Sequence, residues 1–480
     1  MVKVKLIQGN VLEALKQIPD NSIDCIITSP PYWGLRKYPD DANIIWDGDP
    51  NCQHEWETYE RKGQSGGTKS EKVHIKGLEN FQIVPNTQQA FCKKCGAWFG
   101  QLGLEPTLEL YIQHLLQITA ELKRVLKPTG VMFWNHGDCY SSYLGKHAGR
   151  TTKERFGGRG DINDEDRPPK PKKYPTKCLM GQNYRLILKM VDEQGWIWRN
   201  TIIWHKPNHL PSSVKDRFTS AYEPIFMLVK SKKYFFNLDA VREPLKSLKN
   251  HSFNIRVREA KKGHFEKIGV RASEEEMGKY DNKGQLIKHD IAVGRIGNFS
   301  YADSLHEVPY NILGKNPSDV WTINTEPFPE AHFATFPTEL VRRCIKCGCS
   351  EAICKKCGHI KTPIINKSPI NIRKHELHKG RKKDAVEGKL PEIGIVGFKR
   401  TGVQFEWKRE IKGYNDCEHK DYEPGWVLDP FVGSGTTIKV AIEERRNVIG
   451  IEIVKDYIDM AIKRCNLRNN PFIDFELIKV

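Results

Sequence analysis

Residues 426–453, WVLDPFVGSGTTIKVAIEERRNVIGIEI, decide the fold because they carry one complete β-loop-α-β unit. The first three residues are typical of a short buried strand, and residues 429–437 form a glycine-rich loop. Residues 438–445 have the spacing of a helix, and residues 447–453 form a second apolar strand. Units of this kind build an open α/β sheet, in which ligands bind beyond the carboxyl ends of the strands.

The loop of this unit has the chemistry of a cofactor site. Gly433-Ser434-Gly435 leaves bare backbone for a ligand, and Glu452 at the end of the next strand can accept both hydroxyls of a ribose. The loop lacks the G-x-G-x-x-G spacing of dinucleotide sites and the Gly-Lys pair of phosphate-binding loops. Asp429 suits a ligand with an ammonium group. These features favour S-adenosylmethionine, which carries an ammonium, a sulfonium and a ribose.

Residues 23–33, IDCIITSPPYW, form a strand and loop near the other end of the chain. Two consecutive prolines cannot continue a ladder, so the chain must leave the sheet after this strand. The loop offers the Ser29 hydroxyl and the Pro30 carbonyl as acceptors beside the aromatic plane of Tyr32. Acceptors suit an exocyclic amine that must lose conjugation to attack a methyl group, and a tyrosine face suits a base removed from its stack. An isolated Pro-Pro-Tyr string is more often a packed turn, but a cofactor loop in the same chain favours the functional interpretation.

Composition narrows the class of partner. The 480-residue chain has 39% hydrophobic residues, a mean hydropathy of −0.57 and a formal net charge of +17. No apolar run approaches the roughly 18 residues that a membrane span needs, and the start of the chain has no signal-peptide core. We therefore expect a cytoplasmic protein without a membrane partner, whose excess of Lys and Arg favours a polyanion such as nucleic acid.

The cysteines predict two structural zinc sites rather than disulfides. Cys52-x-His54 and Cys92-x-x-Cys95 lie in one polar stretch, and together they supply three sulfurs and one nitrogen, as tetrahedral zinc prefers. A second set combines the two pairs Cys354-x-x-Cys357 and Cys417-x-His419. Three further cysteines compete as ligands of the second site: Cys344, Cys347 and Cys349.

The two loops together resemble those of the amino-methylating DNA methyltransferases, which modify N4 of cytosine or N6 of adenine. Residues 28–33, TSPPYW, precede residues 429–437, DPFVGSGTT, and this order resembles the permuted class called beta. The resemblance implies a Rossmann-like α/β methyltransferase sheet, here with zinc-containing insertions and a target-recognition region. It implies S-adenosylmethionine as the cofactor and double-stranded DNA as the substrate.

The resemblance also assigns roles to individual residues. Ser29 and Pro30 would accept from the target amine, Pro31 completes the loop, and Tyr32 would stack on the flipped base. Asn10 stands where the family often has Asp, and its amide oxygen can still accept. The cofactor site would comprise Asn10, Phe336, Pro337, Asp429, Pro430, Phe431, Gly433, Ser434, Gly435, Thr436, Thr437, Glu452 and Ile453.

Domain boundaries follow from the positions of the two loops and the insertions. Residues 1–46 and 101–244 are expected to form the catalytic half, and 315–350 with 417–480 the cofactor-binding half. Three further segments are expected: a zinc-binding insertion at 47–100, a target-recognition region at 245–314 and a second, basic zinc-associated insertion at 351–416.

The predicted activity is transfer of a methyl group to N4 of a flipped cytosine in DNA, since Ser29 in this loop goes with cytosine in most relatives. An N6-adenine enzyme is the alternative, and an RNA or protein-amine methyltransferase is a more distant one. A non-catalytic zinc-dependent nucleic-acid-binding protein is the competing hypothesis from another class. A cognate restriction endonuclease is a further expected partner, and both a monomer and a homodimer are compatible with the sequence.

Overall fold

The computed structural model describes residues 1–58, 90–141, 174–243, 315–326, 336–371 and 405–480. The strands are β1 Val2–Gln8, β2 Ile23–Thr28, β3 Ile44–Trp46, β4 Trp56–Thr58, β5 Ala90–Cys92, β6 Trp98–Gly100, β7 Leu126–Asn135, β8 Ile197–His205, β9 Tyr222–Val229, β10 Val320–Thr322, β11 Ile353–Cys354, β12 Thr362–Asn371, β13 Phe405–Asn415, β14 Tyr422–Glu423, β15 Trp426–Asp429, β16 Asn447–Glu452 and β17 Ile473–Lys479. The α-helices are α1 Val11–Lys16, α2 Leu108–Val125, α3 Gln182–Asp192, α4 Thr338–Gly348, α5 Thr436–Glu443 and α6 Lys455–Arg464. Two short 3-10 helices lie at Asp40–Ala42 and Leu238–Val241.

A nine-stranded sheet organises the described part of the chain, in the order β10-β8-β9-β7-β2-β15-β16-β1-β17. Strand β9 runs antiparallel to both of its neighbours, and the other pairs are parallel. Val427 of β15 pairs with Cys25 of β2, so the strands that precede the two loops lie side by side. Both loops therefore leave the same edge of the sheet. The α/β methyltransferase fold predicted from the sequence is confirmed.

The sheet is buried on both faces because its strands alternate between two hydrophobic layers. Ile26 of β2 packs in the layer that holds α1, α2 and α3, whereas its neighbours Cys25 and Ile27 pack in the layer that holds α4, α5 and α6. All six residues of β2 are buried, as expected for a parallel strand covered on both sides. This burial fixes the position at which the chain leaves the sheet after Thr28.

The strand bounds differ from the sequence prediction chiefly at β7. The Pro128-Thr129-Gly130 stretch predicts a strand that starts at Val131, but the strand begins at Leu126. Its pairing with β2 is irregular between Ile23 and Cys25, and this irregularity absorbs the proline. A Cβ at Gly130 would lie 2.5 Å from Leu126 Cδ1, so a larger residue there would require the Leu126 side chain to move.

Two compact units are distinguished by their contacts. The first comprises Met1–Val241, Ser318–Thr362 and Asn415–Val480, and it contains the nine-stranded sheet. The second comprises Arg242–Pro317 and Pro363–Tyr414, and most of the β12-β13 ladder belongs to it. The predicted target-recognition region at 245–314 lies outside the described residues, as does much of the basic insertion at 351–416.

Among the residues that the structure describes, no helix combines the length and the apolar character that crossing a membrane requires.

Candidate active site

One cavity of about 410 Å³ connects the two loops singled out in the sequence. Its volume lies within the roughly 300–1,000 Å³ of small-molecule sites. The predicted residues that line it are Ser29, Pro30, Pro31, Tyr32, Phe336, Pro430, Phe431, Gly433, Ser434, Thr436, Glu452 and Ile453. A group bound on the glycine-rich loop and a group bound at Ser29 would therefore share one cavity.

Five other predicted cofactor ligands do not line the cavity: Asn10, Pro337, Asp429, Gly435 and Thr437. Asn10 caps α1, since its Oδ1 accepts from Leu12 N at 2.9 Å. Pro337 is the residue before the first turn of α4. These residues shape the wall through backbone conformation and hydrogen bonds.

Asp429 is 1% exposed, and its carboxylate is occupied by internal donors. Thr437 Oγ1 donates to it at 2.6 Å, and Phe431 N at 3.1 Å. Burial raises the pKa of Asp429 to about 6, opposed by its hydroxyl and backbone donors. Asp429 thus helps to organise the glycine-rich loop, and its direct contact with an ammonium group stays a prediction.

Glu452 ends β16 at the cavity, as predicted for a ribose ligand. One carboxylate oxygen accepts from Gly433 N at 2.9 Å, and the other from the backbone N–H groups of Ile453 and Val454 at 3.0 and 2.9 Å. Burial nevertheless raises the pKa of Glu452 to about 7. A carboxylate has about four lone-pair positions, and three are used by these backbone groups, so Glu452 can still accept from one ribose hydroxyl.

The glycine-rich loop requires its two glycines for different reasons. Gly433 has φ 50° and lines the cavity with its backbone. Gly435 has φ 84°, and a Cβ there would lie 2.9 Å from Ala461 Cβ of α6. Arg464, on the same helix, donates to Ser434 Oγ at 2.8 Å and holds the loop from outside the cavity.

Tyr32 is the centre of a hydrogen-bond chain at the other end of the cavity. Ser29 Oγ donates to the Tyr32 hydroxyl at 2.9 Å, and that hydroxyl donates to Glu223 Oε2 at 3.1 Å. Burial and the negative charge of Glu223 raise the pKa of Tyr32 well above its usual value, so the phenol stays protonated. Asn135 Oδ1 is a longer alternative acceptor at 3.4 Å, and Lys206 pairs with the second oxygen of Glu223.

The side chains of Tyr111 and His136 hold the Ser-Pro-Pro-Tyr loop in place. The Tyr111 hydroxyl donates to Pro31 O at 2.7 Å and contacts His136 Nε2 at 3.1 Å. His136 also stacks on one face of Tyr32, with ring centroids 5.2 Å apart. Burial lowers the pKa of His136 to about 3, so the ring is neutral at physiological pH. The loop is therefore held rigidly before any substrate binds.

Comparison with known proteins agrees with this geometry. The N6_N4_Mtase family of DNA methylases matches residues 23–352 and 419–463. The chain belongs to this family. It is 26% identical to the Type II methyltransferase M.XycI of Xanthomonas campestris pv. cyanopsidis, over 98% of this chain and 89% of the relative. It is also 26% identical to the Type II methyltransferase M.Cfr9I of Citrobacter freundii, over 96% of this chain and 86% of the relative.

Among solved structures, the PvuII DNA methyltransferase (cytosine-N4-specific) aligns over 98% of this chain and 88% of its own, with 14% identity and a TM-score of 0.41.

The sequence did not predict the polar side chains of this DNA methylase's cavity that lie around Tyr32, namely Asn135, Lys206 and Glu223. Asn135 ends β7, Lys206 directly follows β8 and Glu223 is the second residue of β9, all far from both motifs in sequence. The available signal was a polar residue at or next to one end of each strand. It could not identify partners of Tyr32, because the pairing of β7, β8 and β9 sets which side chains meet.

Both predicted cysteine and histidine sets come together in the structure. The ligand atoms of Cys52, His54, Cys92 and Cys95 lie within 4.8 Å of one another, and so do those of Cys354, Cys357, Cys417 and His419. Each set supplies three thiols and one imidazole, a donor set that suits tetrahedral zinc. The knuckle turns have the expected shape, since Gly96 N donates to Cys92 O and Gly358 N to Cys354 O, each at 2.9 Å.

The three competing cysteines are packed elsewhere. Cys344, Cys347 and Cys349 are at most 2% exposed and belong to the hydrophobic layer beneath β2. Burial raises the pKa of all three thiols above the usual range, as expected for inert core cysteines.

A chain of polar groups links Asp47, at the start of the segment that carries the first cluster, to the Ser-Pro-Pro-Tyr loop. His114 contacts Asp47 Oδ2 at 3.2 Å through Nε2 and Glu105 Oε1 at 2.9 Å through Nδ1. Its ring is stacked against both Trp46 and Trp98, with centroids 4.5 and 5.4 Å away.

From Glu105 the chain continues to the Ser-Pro-Pro-Tyr loop. The other carboxylate oxygen of Glu105 accepts from Gly103 N at 2.8 Å, and its backbone carbonyl accepts from Trp33 Nε1 at 2.9 Å. Gly103 in turn accepts from Gly34 N. The insertion that carries the first cluster is thus tied to the residues that directly follow Tyr32.

Proposed function

We propose that this DNA methylase transfers a methyl group from S-adenosylmethionine to N4 of a cytosine flipped out of duplex DNA. The observation that carries the proposal is the shared cavity, in which the glycine-rich loop faces the Ser-Pro-Pro-Tyr loop. Methyl transfer needs the donor and the acceptor held close together, and both loops line one cavity. The names of the relatives, which are Type II methyltransferases, support a Type II role, for which we propose a cognate restriction endonuclease as a partner.

The residues of the cavity fit the proposed cofactor. Glu452 would hold the ribose, Gly433 offers its backbone, and Phe431 and Ile453 provide apolar surface. When bound, S-adenosylmethionine supplies an electrophilic methyl group. Asp429, Thr437 and Gly435 would maintain the conformation of the glycine-rich loop without lining the cavity.

The chain's own residues would activate the amine. The lone pair of an exocyclic amine is delocalised into the ring, so the nitrogen attacks only when acceptors draw its hydrogens out of the ring plane. Ser29 is a neutral acceptor, but it donates its own proton to Tyr32, which donates to the Glu223 carboxylate. This chain makes Ser29 Oγ a stronger acceptor than an isolated hydroxyl. It also offers a route by which the amine proton reaches a carboxylate.

The choice of cytosine over adenine rests on Ser29, because adenine enzymes of the family commonly have Asp or Asn at this position. Adenine remains the second candidate, since the carboxylate of Glu223 supports Ser29 and both bases present an amine beside a ring acceptor. The complete cavity and membership of a methylase family favour an enzyme over a non-catalytic zinc-dependent nucleic-acid-binding protein.

We further propose that both cysteine and histidine clusters hold structural zinc. Cys52, His54, Cys92 and Cys95 form the first site, and Cys354, Cys357, Cys417 and His419 form the second. Neither cluster lines the cavity, so the metal would stabilise the fold and take no part in methyl transfer.

Nucleoside mass spectrometry on DNA from a methylation-deficient host that expresses the chain tests the proposal. We expect N4-methylcytosine, and none in cells that express Tyr32→Ala. N6-methyladenine would contradict the cytosine assignment, and absence of any modified nucleoside would contradict methyl transfer to DNA. Sequencing of the same DNA identifies the methylated site.

A further inference from the structure

Residues 207–220 form the loop between β8 and β9, which lies next to the cavity and is called the rim loop below. Lys206 N donates to Ala221 O at 2.8 Å and closes the base of this hairpin loop. Lys206 and Glu223, on either side of the loop, both line the cavity. The loop therefore begins and ends beside the position proposed for the flipped base.

Both arms of the rim loop are anchored. On the first arm, Asn208 Nδ2 donates to Thr325 Oγ1 at 2.9 Å and its Oδ1 accepts from Thr325 N at 3.0 Å, and Thr325 itself lines the cavity. On the second arm, the Arg217 guanidinium lies 4.0 Å from the centroid of the Tyr140 ring, and Asp216 pairs with Lys177. These contacts hold the loop at the rim and give it a defined direction.

Two of the side chains that the rim loop presents to solvent are large, apolar and nearly fully exposed. Phe218 is 97% exposed and Leu210 is 87% exposed. Scattered exposed apolar residues are ordinary, but here two nearly bare ones occur on one anchored loop beside a catalytic cavity. Lys215 and Arg217 precede Phe218, and both are exposed. An exposed apolar side chain next to cations has the composition of a surface that meets the interior and the phosphates of a duplex.

We infer that Phe218, with Leu210 on the opposite arm, is a wedge that enters the duplex and fills the space vacated by the target base. The inference rests on the proposed function, because it presumes a base flipped from double-stranded DNA. A flipped base leaves its neighbours unstacked, and an apolar side chain in the gap restores part of the lost contact. Lys215 and Arg217 would hold the adjacent phosphates and set the depth of insertion.

The test compares two duplexes that carry the methylated site identified by sequencing. In one the target base is paired, and in the other it lies opposite an abasic site, so that it is already unpaired. We expect Phe218→Ala to lower kcat/KM on the paired duplex about 10- to 100-fold and to stay within about twofold of wild type on the abasic duplex. Activity on the abasic duplex also shows that the variant is folded.

Phe472→Ala is the matched control, because Phe472 is 76% exposed and precedes β17 at the opposite edge of the sheet. It should leave both activities unchanged. A fluorescent 2-aminopurine placed at the target should brighten on binding of wild type and of Phe472→Ala, but much less on binding of Phe218→Ala.

Four outcomes would overturn the wedge. The first two are unchanged activity of Phe218→Ala on the paired duplex and an equal loss of its activity on both duplexes. The third is a 2-aminopurine signal in Phe218→Ala as bright as in wild type. The fourth is a switch from dimer to monomer in sedimentation of Phe218→Ala, which would show that Phe218 contacts a second copy of the chain. Failure of the proposed function is distinguishable from all four, because wild type itself would then methylate neither duplex.

Discussion

Thr28 Oγ1 donates a 2.8 Å hydrogen bond to Asp429 Oδ1, across 401 residues of sequence. Thr28 is the last residue before the Ser-Pro-Pro-Tyr loop, and Asp429 is the first residue of the glycine-rich loop. Both residues are at most 1% exposed. This bond joins the two sides of the cavity at the point where β2 and β15 end, so the spacing between the two loops is set inside the core.

Thr28→Val should therefore weaken both the fold and catalysis. The change removes one donor from a buried carboxylate and should lower the free energy of unfolding by about 1–3 kcal/mol. Urea denaturation measures this loss, and methyl transfer at saturating substrates measures the effect on the loops. Thr119→Val is the control, since Thr119 is equally buried but bonds Gln194 away from the cavity. If both variants lose stability but only Thr28→Val loses activity, the bond positions the loops.

Gly435→Ala should destabilise the glycine-rich loop from behind. Its φ of 84° strains any side chain, and the added Cβ would meet Ala461 at 2.9 Å. A loss of about 1–3 kcal/mol in the free energy of unfolding is expected. Gly181→Ala separates the two causes, because Gly181 has φ 64° but its nearest neighbour is Arg185 Nε at 3.9 Å. An equal loss in the free energy of unfolding in both variants would show that the contact with Ala461 does not contribute to the destabilisation.

How far the sequence predicts this site depends on how local each part is. The strands β2, β15 and β16 were predicted to within about a residue, because short apolar runs bounded by proline and glycine leave few alternatives. The hydrogen bond that Asp429 accepts from Thr28 was not predicted, since Thr28 lies 401 residues away. The link from Glu105 through His114 to Asp47 was invisible for the same reason. Side chains that are remote in sequence meet only once the sheet order is known.

Cofactor affinity should rise with pH through about 7 because of Glu452. Burial raises the pKa of this carboxyl to about 7, so in the free protein it is largely protonated below that value. Ribose hydroxyls donate to the ionised form, so binding favours the carboxylate and affinity should be weaker at pH 6 than at pH 8. Calorimetry with S-adenosylmethionine measures the change. Glu452→Gln should bind more weakly and lose most of the pH dependence, whereas a rise that persists in the variant would assign it to another group.

The chain from Ser29 through Tyr32 to Glu223 predicts a fall in kcat without a matching rise in KM for DNA. Tyr32→Phe keeps the ring that stacks on His136 but removes the hydroxyl, and Glu223→Gln keeps an acceptor but removes the charge. We expect each to lower kcat about 10- to 100-fold, less than the loss of a direct proton acceptor can cost. The double variant should be no worse than the more damaged single one, because both act on one chain. Additive losses in single-turnover methylation would show that the two residues act independently.

Removal of the first zinc site should disturb the catalytic loop, whereas removal of the second should not. Purified chain is expected to contain about two zinc ions by elemental analysis, and Cys92→Ser and Cys357→Ser should each retain about one.

Metal affinity is folding energy in such clusters, so Cys92→Ser should loosen the insertion that carries Asp47. His114 would then lose one partner of the chain that ends at Trp33, and Trp46 and Trp98 would lose their stacking on its ring. The expected signature is a red-shifted tryptophan emission and reduced methyl transfer in Cys92→Ser, with neither change in Cys357→Ser.

His114→Leu, which leaves the four ligands intact, should keep two zinc ions and still lose activity. Full activity in His114→Leu would mean that the insertion and the loop are adjacent without being coupled.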